Sequence, residues 1–365
     1  MAGRLNGEIE GKVRDYLLDT QGRTSELYLL PKIHKPNVNP GNIPTRPIIS
    51  ANGSPTEKKS EFVDHFLNPT TFSLPSYIKD TTHLLQKLNN IGTLPDNAIL
   101  ATLDVESLYT NIPNTYGIRA AKIKIAQTRP HPNVKPSNKS LITLLEMVLT
   151  KNNFQFNGHH ILQKSGTAMG TKLAVGYANN TLGKFEDDHV YTYKTQNFTY
   201  YRFIDDIFLI WFGSEETLLD FIQHLNSSTT FFKFTHETST TSVNFLDVTI
   251  SIKNNKIETD LYCKPTDSHN YLYYNSAHPQ KCKDSIPYSQ FLRIKRICSK
   301  ETDFLTHCLN YCRHFIRRGY PGTLLEEAIN LANQKDRNNL LNPTPKEKQN
   351  NREFWLLHVA ASRTR

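Results

Sequence analysis

Cysteine is scarce. The 365-residue chain has five, Cys263, Cys282, Cys298, Cys308 and Cys312. An odd number in a long chain excludes a disulfide scaffold and argues for a reducing compartment. No apolar run reaches the ~18 residues of a membrane span, and the opening "MAGRLNGEIEGKVRDYLL" has no apolar signal core. An intracellular protein with no membrane partner is expected. There is no internal repeat and no compact Lys/Arg run that would mark nuclear import. There is no phosphate loop either, because "GTAMGTK" lacks the spacing of G-x-x-x-x-G-K-[ST]. Acidic residues are outnumbered, with 34 Asp and Glu against 43 Lys and Arg and a formal net charge of +9. Such an excess points to a polyanion, nucleic acid before membrane; charge alone leaves a merely soluble basic protein as the alternative.

What is present defines a large folded chain. Hydrophobic residues make up 38%, with 17 Tyr and 19 Phe, too many aromatics for disorder. The length exceeds the ~250–300 residues at which single cores stop growing, so two or three subdomains are expected. Residues 31–56 are rich in Pro, Asn and Gly and read as loops around the short strand "RPIIS". "DTTHLLQKLNN" reads as a helix capped by Asp80, and "SLITLLEMVLTKN" as one capped by Ser140. Between them an apolar strand, Ile99 to Leu103, ends at Asp104, and residues 127–140 read as a surface loop. Leu173, Ala174, Tyr177, Ala178, Leu182 and Phe185 recur at helical spacing. "ETLLDFIQHLN" is a further helix, and "SVNFLDVTISIKNNKIETDLYCKP" a hairpin turning at Asn254-Asn255. From residue 285 the pattern is helical and basic, with Ser285 as cap and Pro287 in the first turn. This order suggests an α+β palm with helices on one face of a mostly antiparallel sheet.

One stretch resists a purely structural reading. "YRFIDDIFLIW" sets Asp205 and Asp206 between two apolar strand segments, at the tip of a hairpin. Aspartate is common in turns, yet hairpin tips favour a glycine that is absent here, and adjacent carboxylates repel unless a proton or cation intervenes. If the strand ending at Asp104 pairs with this hairpin, three carboxylates converge. Hard oxygen ligands suit Mg²⁺, and two such ions support nucleotidyl transfer.

In this order, "TLDVESLYTNIP", "GTAMGTKLAVGYANN" and "RFIDDIFLIW" resemble the palm motifs of reverse transcriptases. With "LYLLPKIHKP", "TRPIISANGSPTE", "LPSYIKDTTHLL", "VNFLDVTI" and "DLYCKPTDSHNYLYYNSAHP…SIPYSQFLRIKRICS", the chain resembles the Penelope-like retroelement reverse transcriptases, a telomerase-related group, over roughly residues 25 to 340. The resemblance implies a right-hand polymerase. Residues 1–260 would form fingers and palm, the fingers (about 1–98 and 114–165) being interleaved with the palm. Residues 261–340 would form a helical thumb and 341–365 an irregular tail, with no GIY-YIG endonuclease domain following. It implies an RNA-directed DNA polymerase using an RNA template, a DNA primer, dNTPs and two Mg²⁺ ions, for which Mn²⁺ can substitute, acting in the nucleus. Asp104, Asp205 and Asp206 would be catalytic and, with the Val105 carbonyl, hold metal. Tyr109 would be a steric gate against a ribose 2′-hydroxyl, and Lys32 and Arg46 would hold the triphosphate. Gly166, Thr167 and Gly170 would let backbone approach nucleotide and template. Arg293, Lys295, Arg296 and Lys300 would track the duplex backbone, and Lys233 is a weaker candidate for general acid. Phe203 stands where tyrosine is usual, which keeps the ring and loses the hydroxyl. The rival reading is an inactive RNA/DNA-binding relic or fragment. A zinc set of Cys263, His269, His278 and Cys282 has the spacing of no common finger. Oligomeric state is not legible.

Overall fold

The strand at residues 98–105 is apolar on both faces because the fold covers both. The computed structural model describes residues 11–18, 22–32, 43–131, 136–194 and 197–343. In chain order, α1 (Gly11–Leu18) precedes strands β1 (Ser25–Pro31) and β2 (Thr45–Ser50). Then come α2 (Glu57–Phe72), α3 (Thr81–Asn89), β3 (Ala98–Val105), the short α4 (Leu108–Asn111), α5 (Asn114–Thr128) and α6 (Asn138–Thr150). The hairpin β4 (Asn153–Phe156) and β5 (His159–Leu162) leads to α7 (Ala174–Phe185), which runs into a π-helical turn at Glu186–Val190. A second hairpin, β6 (Phe198–Phe203) and β7 (Asp206–Phe212), is followed by α8 (Glu215–Ser228) and β8 (Phe234–Ser239). The meander β9 (Ser242–Phe245), β10 (Val248–Lys253) and β11 (Lys256–Leu261) follows, then α9 (Gln280–Ile297), α10 (Glu301–Arg317), α11 (Gly322–Asn333) and α12 (Arg337–Leu341).

The central sheet has the order β6-β7-β3-β8 and is antiparallel throughout. Successive side chains of a strand point to opposite faces, and here each face meets a core. Ile99, Ala101, Leu103, Ile207, Leu209 and Trp211 pack with residues of α2, α5, α6, α7 and α8. Leu100, Phe208 and Ile210 pack against α3, the β11-β10-β9 sheet and helices α9–α12. The expectation of helices on one face is corrected accordingly: the second face is also covered, which is why these strands read as continuous apolar runs rather than alternating ones. A third sheet, β2-β1-β4-β5, combines two antiparallel hairpins through a short parallel β1–β4 pairing.

Local chemistry explains some boundaries. Asp80 caps α3, its carboxylate accepting from the His83 N–H. Asn254 and Asn255 both take positive φ in the two-residue turn between β10 and β11, as a primed hairpin turn requires. Ser137, not Ser140, caps α6, accepting from the Ser140 N–H. Helix α9 begins after Pro279, so Ser285 and Pro287 lie inside it rather than at its start. Helix α5 stands where the sequence showed no element. Leu341, expected to open the tail, is the buried last residue of α12, and positions 344–365 lie outside the described residues. Among the described residues, no helix is long and apolar enough to cross a membrane.

Candidate active site

Strand register brings the acids together. Asp104, the penultimate residue of β3, lies directly across from Asp206, the first residue of β7. Opposed residues of an antiparallel pair share a face, with Cβ atoms about 4.5–5.5 Å apart. Asp205 sits in the adjoining turn, where its carbonyl accepts a hydrogen bond of 3.2 Å from the Val105 N–H. The hairpin tip is therefore Ile204-Asp205, one residue earlier than the Asp205-Asp206 expected. Ile204 has φ +57°, a strained conformation for a β-branched residue. Its carbonyl is held by Arg202, which is buried and ion-paired with the equally buried Glu186.

The cluster is electrostatically frustrated. Burial first, then the Asp205 and Asp104 carboxylates, push the Asp206 carboxyl up to about 6, with Lys264 pulling the other way. Because ionisation is harder in the fold than in the unfolded chain, the destabilisation is present above pH about 6 and vanishes below the ~3.9 of a free aspartate. A divalent cation fits this donor set: its oxygens are hard, and bound positive charge would offset what burial and the neighbouring carboxylates impose on Asp206. Asp206→Asn should therefore stabilise the chelator-treated protein at neutral pH by ~1 kcal/mol after allowing for solvent screening, and Mg²⁺ should raise the melting temperature of the parent more than that of the variant. Thermal melts with EDTA and with Mg²⁺ check this; a variant that melts below the parent in EDTA rules the frustration out.

Tyr109 lies on α4, half-buried beside the acids. Burial first, then Asp205, push its hydroxyl up to about 12, and Arg46 acts in the opposite direction. Arg46 on β2, opposite Leu30 of β1, thus faces the same region. Lys32 follows β1 and donates its backbone N–H to the Pro44 carbonyl at 2.8 Å, so both basic residues belong to one hairpin. The segment 166–170 clasps these parts to each other. Thr167 N–H donates to the Tyr109 carbonyl at 2.7 Å, and Ile49 N–H to the Met169 carbonyl at 2.9 Å. At Gly166 (φ +75°) a Cβ would lie 2.7 Å from the Tyr109 and Thr110 carbonyls, and at Gly170 (φ +116°) 2.4 Å from that of Ile49. Both positions need glycine for close approach of protein backbone, whatever else approaches them.

The remaining sequence candidates are engaged within the chain. Arg293 makes a forked pair with Asp247 in the β9–β10 turn. Lys295 donates to Asn333 and lies over the Phe304 ring, Arg296 reaches Thr82, and Lys300 pairs with Glu258. These four tie α9 and its exit to neighbouring elements instead of forming one uncommitted face. The Lys233 ammonium donates to the Asn226 carbonyl at 3.1 Å. Two residues near the acids were missed by sequence reasoning. Arg202 stood inside the quoted motif, where an arginine within an apolar strand was the available signal. Lys264 had no signal, since only folding brings the segment after β11 towards Asp206.

Among solved structures, the chain is similar to a telomerase from Candida albicans, solved in complex with a TWJ fragment of telomeric RNA, at 12% identity and a TM-score of 0.59, covering 88% of this chain and 56% of that one. It is similar to the RNA-dependent RNA polymerase of a human picobirnavirus, at 12% identity and TM-score 0.56 over 93% of this chain and 65% of that one. The Sicinivirus 3Dpol RNA-dependent RNA polymerase matches at 13% identity and TM-score 0.52, over 88% and 71%. The fold is that of a right-hand polymerase. The chain spans little more than half the length of the telomerase. A family model described as an animal helix-turn-helix domain matches residues 270–330, across α9, α10 and most of α11. No curated protein matches the chain.

Proposed function

We propose that the protein is an RNA-directed DNA polymerase of the Penelope-like retroelement kind. The observation that carries this reading is the acid cluster, with Asp104 across from Asp206 and Asp205 tied to Val105 at the end of the central sheet. In this reading the β6-β7-β3-β8 sheet is the palm, the β2-β1-β4-β5 sheet belongs to the fingers and α9–α12 form the thumb. The motif order quoted above supports the Penelope-like assignment. RNA binding is supported by the telomerase solved with a fragment of telomeric RNA.

The reaction would join a primer 3′-oxygen to the α-phosphorus of a dNTP, breaking the bond to the oxygen that bridges to the β-phosphate and releasing pyrophosphate, with the 3′-hydroxyl proton passing to solvent. Asp104, Asp205, Asp206 and the Val105 carbonyl would hold divalent cations, whose chemistry when bound is Lewis-acid charge at the attacking and leaving oxygens. The chain's own groups do the rest by position. Arg46 offers a planar fork to phosphate oxygens and Lys32 a point charge. The Tyr109 ring occupies space that a 2′-hydroxyl would need, which selects by repulsion.

Primer extension by purified full chain tests the function, with RNA and DNA templates and with dNTPs and rNTPs in separate arms. DNA synthesis on RNA is expected. Incorporation of rNTPs alone would make the protein an RNA polymerase. A folded protein that binds hybrid and incorporates nothing would be an inactive relic. The gate has its own test. Overpacking a fitted site costs roughly 1–3 kcal/mol, so Tyr109→Ala should raise the ratio of rNTP to dNTP incorporation roughly 10- to 100-fold. The ratio is read rather than the rate, because the ring also packs against the core; an unchanged ratio removes Tyr109 from selection.

A further inference from the structure

The loop joining β11 to α9, which also carries Lys264, brings together a thiol, a carboxylate and an imidazole distinct from the three aspartates of the candidate active site. The ligand atoms of Cys263, Asp267 and His269 all lie within 4.8 Å of one another. The His269 side chain is 13% exposed, and its Nδ1 is buried with no hydrogen-bond partner. A buried polar atom left unpaired is costly and needs an explanation. Its nearest carboxylate oxygen, Asp267 Oδ2, is 3.7 Å away, too far for a hydrogen bond but close to the separation of two ligands on one tetrahedral ion with bonds of about 2.0–2.2 Å. The other oxygen, Oδ1, accepts from the His269 backbone N–H at 2.9 Å and fixes His269 at φ +48°, a conformation rare outside glycine.

We propose that Cys263, Asp267 and His269 form a zinc site that cross-links this loop where it lies against α10, with the fourth position left to water. Thiolate, imidazole and carboxylate together are a zinc donor set, and one thiolate with one carboxylate balances the ion's charge. Binding displaces the Cys263 thiol proton to solvent. Helix α10 provides the wall. Tyr311 O–H is 3.4 Å from the Cys263 sulfur, and the His314 ring lies 4.2 Å from that of His269. Of the set read from the sequence, His278 Nδ1 is instead beside the Ser276 hydroxyl, at 3.1 Å, and Cys282 is exposed in the first turn of α9. A second cluster, Asp260, Cys298 and His307, differs in kind. There, Asp260 Oδ1 already meets Cys298 Sγ, the Leu261 N–H and His307 Nε2 at 3.3, 2.8 and 2.9 Å, so the thiol, the imidazole and the carboxylate are already hydrogen-bonded to one another.

Metal analysis of the purified, reduced full chain, reconstituted with Zn²⁺ and desalted without chelator, should find about one zinc per chain. Cys263→Ser and His269→Ala should each lower zinc affinity at least ~10-fold, while Cys298→Ser keeps it. Replacement of zinc by Co²⁺ should give a thiolate-to-cobalt charge-transfer band in the parent, which decides the matter even where a variant fails to fold. Absence of zinc and of that band from folded parent overturns the site. So does zinc that survives both substitutions or that is lost with Cys298→Ser.

Discussion

Asp205→Asn should abolish primer extension while leaving the fold intact. The substitution keeps the size of the side chain and removes one charge from a cluster of three. Metal-ion stabilisation of transition-state charge is worth several kcal/mol, and each ~1.4 kcal/mol is tenfold in rate, so a loss of at least ~10³-fold is expected. Stability should not fall with it. Asp205 is a turn residue whose structural tie to Val105 runs through its backbone carbonyl, which asparagine retains. The informative result is thus a split, with unchanged melting and hybrid binding and no synthesis. Single-turnover incorporation with saturating dNTP separates chemistry from binding. Extension that survives at more than a tenth of the parent rate would remove Asp205 from the metal site and with it the proposed mechanism. Asp104→Asn should behave similarly, because register places it at the same end of the sheet.

That split shows what could be read from the chain before folding. Asp104 was legible because an apolar strand that ends in an acid is rare, and pairing it with the Asp205–Asp206 stretch needed only the assumption of one sheet. The hairpin tip was misplaced because propensity forbids the observed solution. A β-branched residue at positive φ is a poor choice for a turn, yet Ile204 takes it, and Leu246 takes the same conformation (φ +56°) between β9 and β10. In both turns an aspartate follows and an arginine is engaged, Arg202 at the Ile204 carbonyl and Arg293 at the Asp247 carboxylate. Such turns are set by tertiary contacts, which a local reading does not contain. The start of α9 was missed for a related reason. Its buried stripe is Lys283, Pro287, Phe291 and Ile294, and a lysine and a proline conceal a helical period. Lys283 buries its stem and sends its ammonium to the Ser276 carbonyl. The basic residues of α9 were legible as charge but not as partners, because Asp247, Thr82, Asn333 and Glu258 come from distant positions.

Arg202→Met should unfold the protein at lower temperature and impair synthesis, and the two effects should prove separable. Arg202 and Glu186 are each 1% exposed. The guanidinium also donates to Asn179 Oδ1 at 2.6 Å and to the Ile204 carbonyl at 3.0 Å, while Glu186 accepts from the Ser76 hydroxyl. Removing one partner of a buried pair leaves the other charge uncompensated, at about 3–5 kcal/mol. Removing both is milder, because buried ion pairs often exchange for apolar groups at little net loss. The double variant Arg202→Met with Glu186→Leu should therefore melt above the single Arg202→Met. It should not regain activity. Methionine gives no donor to the Ile204 carbonyl, so the strained turn relaxes and Asp205 loses its placement, with an expected loss of at least ~10-fold in single-turnover rate. Melting and rate measured on the parent, both single variants and the double form a cycle that tells the roles apart. If the double variant recovers stability and rate together, Arg202 only neutralises Glu186. If it recovers stability alone, Arg202 is a positioning residue, and the buried pair survives in this strand because it aims the carboxylate beside it.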